Sequence, residues 1–133
     1  MHGRLFFWLM ALEGVTGTHY WSIDSWGGNN RVLGVDQIND TMLTTFDVWM
    51  PSEQVNGDGF LIYPGPHGPL SSIRLENIRD GIEDFELLQH CGAERCRDLI
   101  LQAIRNGTDY SLDVKLLESL RRQVASRVIS LSN

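Results

Sequence analysis

The sequence predicts an α/β fold that is left incomplete: one or two terminal β/α units followed by helices. Three observations carry this. Two short segments rich in β-branched and aromatic residues stand among stretches of helical period. From residue 71 onward the apolar period becomes that of helices without interruption. Two strands alone make no sheet, since parallel pairs occur almost only in buried, complete sheets.

The first element is helical. Arg4 followed by the apolar run 5–12 has the outline of a short signal peptide. The run is too short to span a bilayer, meets Glu13 at once and is loaded with bulky aromatics. It reads instead as a buried helix closing at Gly14, where a glycine C-cap belongs. On that reading the acceptor-like triplets Asn39-Asp40-Thr41 and Asn106-Gly107-Thr108 carry no meaning; on the signal-peptide reading they would.

Residues 16–23 (TGTHYWSI) read as the first strand, and residues 24–30 as its glycine-rich exit loop. Residues 31–57 show no sustained period. Loops of that length in compact domains are usually functional or disordered, and Phe46, Trp49 and Met50 give this one too much apolar surface for simple disorder. Residues 59–63 form the second strand, apolar throughout and broken by Pro64-Gly65, so that Tyr63 ends it.

A helix follows from Ser71 or Ser72, either of which can cap it, with Pro69 resisting an earlier start. Leu75, Ile78, Ile82 and Phe85 form its expected buried stripe. Gly81 costs that helix about 1 kcal/mol relative to alanine, and its place beside the stripe implies close packing against a neighbour. A second helix at 94–106 should bury Leu99, Ala103 and Ile104 and stop at Gly107. A third at 112–131 repeats the pattern at Leu116, Leu117, Leu120, Val124 and Val128.

Composition bounds the function. The 133 residues amount to one domain or a piece of a larger one, and 42% hydrophobic with 21% charged residues is ordinary for a globular protein. A net charge of -6 without any cationic block argues against a nucleic-acid partner. Cys91 and Cys96 offer only a weak zinc signal, with His90 as an extra ligand and no fourth. They read as two small, partly buried thiols, so no metal or other cofactor is expected. His19, His67 and His90 lack partners at any catalytic spacing.

Four segments, RLFFWLMALEGVTGTHYWSIDSW, FDVW, NGDGFLIYPG and SIRLENIRDGIEDFELL, stand in this order. They resemble the carboxy-terminal signature of glycoside hydrolase family 123 and its relatives, long filed as domain of unknown function 4091. In the longest motif Ser72, Arg74, Leu75, Glu76, Arg79, Asp80, Gly81, Asp84 and Glu86 match, with Phe85 where the pattern has tyrosine. The resemblance covers residues 4–90. Residues 91–133 fit as trailing helices.

The resemblance implies the last units of a TIM-type (β/α)8 barrel, from a family that cleaves terminal N-acetylgalactosamine by a substrate-assisted mechanism. In that mechanism the substrate's acetamide attacks the anomeric carbon, served by an adjacent Asp-Glu pair, outside the usual two-carboxylate scheme. That pair belongs to an earlier strand, and this sequence contains no Asp-Glu dipeptide. A barrel needs roughly 250 residues. Two domains of meaning follow, 1–90 as the barrel portion and 91–133 as a trailing helical segment.

In a barrel, ligands bind at the carboxy-terminal ends of the strands. Trp21, Asp24, Trp26 and Tyr63 fall at such ends, and Trp49 could close over them. Aromatic faces for a sugar ring and a carboxylate for its hydroxyls are the chemistry of such a rim; the bland reading is that these aromatics plug the barrel mouth. Arg74 and Glu76 lie at the same end and read first as an ion pair or cap. Arg79 with Glu83 reads as a surface pair. The function is then either a hydrolase portion, with carbohydrate as partner and catalysis supplied elsewhere, or a non-enzymatic carbohydrate- or protein-binding module. Open sheet edges imply self-association in either case.

Overall fold

The computed structural model of the chain describes residues 3–23, 59, 61–63 and 68–131. The elements in order are α1 (Gly3–Glu13), β1 (Ile62–Tyr63), β2 (Leu70–Ser71), α2 (Ile73–Cys91), α3 (Ala93–Ala103) and α4 (Val114–Leu131). They form two compact units, one made of Met1–Thr18 with Asn77–Asn133 and the other of His19–Glu76.

The first unit is helical. Its core joins Leu5, Trp8 and Ala11 of α1 to Leu88 and Cys91 of α2, Cys96, Leu99, Ile100 and Ala103 of α3, Ile104 just beyond it, and Leu117, Leu120 and Val124 of α4. Helix α1 ends as the sequence predicts. Gly14 takes φ of 69°, and the Val15 N–H reaches back to the Met10 carbonyl at 2.9 Å, so a carbonyl the helix would orphan is satisfied. Helix α4 starts where the Asp113 carboxylate accepts from the Lys115 and Leu116 N–H groups, at 2.9 and 3.2 Å. Leu99, Ala103 and Ile104 are buried as expected, and so are Leu117, Leu120 and Val124, with Leu116 and Val128 packed at the margin.

The buried line of α2 differs from the expected one. Gly81, Asp84, Leu88 and Cys91 are buried, whereas Ile82 is 45% exposed and Leu75, Ile78 and Phe85 are half-buried. The same helical spacing is present, rotated by one position, because an aspartate sits on the inner face. Gly81 does mark a close approach. A Cβ there would overlap the Phe7 ring and come within 3.1 Å of the Arg4 Cα.

The cysteines are not thiols. Cys91 and Cys96 form a disulfide across the α2–α3 junction. Gly92 between them, at φ of 84°, closes α2 through its N–H to the Leu88 carbonyl and opens α3 through its own carbonyl. The helix predicted over 94–106 stops at Ala103, because Ile104 turns extended and bridges to Tyr110. Gly107 lies in the loop between.

In the second unit the first predicted strand is absent. Residues 15–20 and 22 have no regular structure and 21 and 23 are bends. The Ile23 carbonyl accepts from the Leu61 and Ile62 N–H groups at 2.9 and 3.1 Å. The second predicted strand is present as β1 and ends on Tyr63, but it pairs antiparallel with β2, Ile62 opposite Ser71 and Tyr63 opposite Leu70. Among the described residues no parallel pair occurs; the pair that forms is antiparallel, as six intervening residues are too few for a parallel crossover.

Candidate functional site

The second unit holds Tyr63 and Trp21 of the predicted rim. Strand β1 delivers Tyr63 beside the first turn of α2, and the Arg74 guanidinium donates from Nη1 to the Tyr63 hydroxyl at 3.2 Å. That turn is fixed from both sides. The Ser72 hydroxyl accepts from the Leu75 N–H at 3.2 Å, as an N-cap does, and donates to the Leu61 carbonyl at 2.6 Å. One serine therefore caps the helix and ties it to the residue preceding β1. Glu76, in the same turn, accepts from the Ser71 hydroxyl.

Tyr63 is thus half-buried with its hydroxyl on a cation rather than plugged into an apolar core. Trp21 is 59% exposed, and Tyr20 uses its hydroxyl to accept from the Gly59 N–H at 3.2 Å. Asp24, Trp26 and Trp49 lie outside the described residues. A phenol and a guanidinium side by side present hydrogen-bond donors to an oxygen-rich ligand, and an exposed indole offers a face on which a ring can stack.

The first unit holds a polar cluster that the sequence did not announce. The Asp84 side chain is fully buried, and its carboxylate accepts from Arg4 Nε at 2.6 Å, Arg4 Nη2 at 3.1 Å, Trp8 Nε1 at 2.9 Å and Arg121 Nε at 2.7 Å. Arg4 also reaches Glu118 at 2.6 Å, and Arg121 reaches Glu83 at 3.2 Å. The hydrogen bonds to Asp84 hold the Arg4 guanidinium protonated well beyond its usual range, against the opposing pull of burial. Four donors fill the lone-pair sites of one carboxylate. Asp84 therefore joins α1, α2 and α4. Arg4 was visible only as a lone charge ahead of an apolar run, and Asp84 only as one match in a motif. The signal that could have found them is an arginine opening one apolar helix and an aspartate on the inner line of another.

Arg79 contacts Asp80 at 3.1 Å and Glu83 at 3.9 Å on the surface, as an i, i+4 pair would. Among the described residues no three of His, Cys, Asp and Glu converge to hold a metal ion. No helix among them is long and apolar enough to cross a membrane.

A family model described as glycoside hydrolase 123, catalytic domain, matches residues 1–91. No curated protein and no solved structure matches the chain.

Proposed function

Since this chain belongs to the glycoside hydrolase 123 catalytic-domain family, we propose that it is the carboxy-terminal portion of a barrel hydrolase acting on a terminal N-acetylhexosamine. The match over residues 1–91 is the observation that carries this reading. The chain's share of the work is binding. Trp21 stacks on the apolar face of the sugar, Tyr63 and Arg74 donate to its hydroxyls or acetamide, and Asp24, Trp26 and Trp49 complete the rim. Protonation of the leaving oxygen and orientation of the acetamide fall to an Asp-Glu pair on an earlier strand, since no such dipeptide occurs here.

The same absence favours one other reading, a non-enzymatic carbohydrate- or protein-binding module that keeps the rim without the chemistry. In either case the net charge of -6 disfavours a nucleic-acid partner.

The test has two arms. The isolated chain should release no p-nitrophenol from p-nitrophenyl N-acetylgalactosaminide above buffer background, and turnover by it would refute the division of labour. In a longer polypeptide carrying the pair, Tyr63→Phe should raise KM by up to roughly tenfold, as expected for losing one neutral hydrogen bond worth about 0.5 to 1.5 kcal/mol. An unchanged KM would remove Tyr63 from the site.

A further inference from the structure

We infer that Asn106 is an N-glycosylation site, an assignment independent of the hydrolase reading. Two separate observations lead to it. The first is the site itself. Residues 105–109, between α3 and α4, are all exposed, and Asn106-Gly107-Thr108 is an acceptor triplet within them. The Thr108 hydroxyl donates to Asn106 Oδ1 at 2.8 Å, and the Thr108 and Asp109 N–H groups donate to the same oxygen at 2.9 Å each. These bonds span two or three residues, so the local chain can form them before any tertiary contact exists. They engage Oδ1 within the loop, and none of the three uses Nδ2.

The second observation is the Cys91–Cys96 disulfide, buried in the helical core a short way along the same chain. Structural disulfides form and persist in oxidising compartments and are rare in reducing ones. The lumen of the endoplasmic reticulum is one such oxidising compartment, and N-glycosylation of Asn-x-Ser/Thr triplets takes place there. The sequence gives the triplet meaning only on the signal-peptide reading of the apolar run 5–12, which the packing of helix α1 into the core does not support; the disulfide is a separate ground for it.

In the modification, Asn106 Nδ2 attacks the anomeric carbon of a lipid-pyrophosphate-linked oligosaccharide. The new C–N bond forms as the anomeric C–O bond breaks, the lipid pyrophosphate leaves, and the amide nitrogen gives up one proton to the transferase. A glycan there projects into solvent from a loop whose residues 105–109 bury nothing, so the core is undisturbed.

The experiment is peptide mapping of the protein purified from its source cells. Trypsin cuts after Arg105 and Lys115, so the peptide 106–115 reports the site. The inference expects this peptide to carry a glycan that N-glycosidase removes, leaving an aspartate at 106. In the same cells Asn106→Gln and Thr108→Ala should each abolish the corresponding mass shift, while Thr108→Ser and Asn39→Gln retain it. An unmodified 106–115 peptide in the native protein overturns the inference, as does a shift that survives Asn106→Gln.

Discussion

Asp84 decides more about this chain than any apolar side chain does, because a fully buried carboxylate is tolerable only while its partners are in place. Removing one partner of a buried ion pair typically costs about 3 to 5 kcal/mol, a large share of a domain's total stability. Asp84→Asn, which leaves Arg4 and Arg121 facing a neutral amide, should lower unfolding stability by about that amount in urea titration. A change below about 1 kcal/mol, the scale of a surface pair, would mean that the cluster is solvated. Gly81 makes the complementary case. Alanine normally stabilises a helix interior by about 1 kcal/mol, but here its Cβ meets the Phe7 ring and the Arg4 backbone. Gly81→Ala should therefore destabilise, by about 1 to 3 kcal/mol as overpacking does, and Phe7→Leu should recover part of the loss. Differential scanning calorimetry of the single and double variants would check both signs. Gly81 could be anticipated from the sequence, since glycine inside a helix beside an apolar stripe needs a packing reason. Asp84 could not, because a charge on the inner line reads as a break in the stripe until its partners, 80 and 37 residues away, are known.

Helices were far more legible than strands, and the reason is where each finds its hydrogen bonds. The turns of α1, α2, α3 and α4 satisfy their own backbone, and caps such as Ser72, Gly14 and Asp113 are local to the sequence. A strand needs a partner that periodicity cannot name. Residues 16–23 have the composition of a strand yet form none, and the Ile23 carbonyl accepts from the backbone of β1 and of the residue before it. Likewise, β2 is two residues long and was hidden in the approach to α2. The rim shows the same division: Tyr63 stands out by position, while Arg74, which reads first with Glu76 as an ion pair or cap, donates to Tyr63, a partner its spacing does not name. Elements α3 and α4 are joined at the surface by Asp98 and Arg127, with Nη1–Oδ1 at 2.6 Å and Nη2–Oδ2 at 2.7 Å. The Arg127 hydrogen bonds hold the Asp98 carboxyl below its ordinary value of 3.8. A depressed carboxyl favours the folded state while ionised, so its contribution is present above 3.8 and is lost as pH falls through the lowered value. Asp98→Asn should therefore have a flatter fall in Tm than the parent chain as pH drops below 3.8. Parallel curves across that range would show that the pair contributes nothing.

At the scale of the whole molecule the chain is a family 123 catalytic-domain sequence in its first 91 residues, followed by two helices that share a core with the first one. The order of motifs made the family legible, because each motif pairs a turn or cap with an aromatic at a fixed place. The antiparallel β1–β2 pair and the disulfide escaped, since both depend on which segments meet rather than on what they contain. The central claim is that this sequence works as the end of a longer hydrolase, with binding residues here and catalysis elsewhere. Its most direct test is the native mass in the source cells, by immunoblot with an antibody raised against residues 72–90. The claim predicts a band several-fold heavier than the 15.1 kDa of this chain. A band at 15.1 kDa alone would contradict it and leave a free-standing binding module.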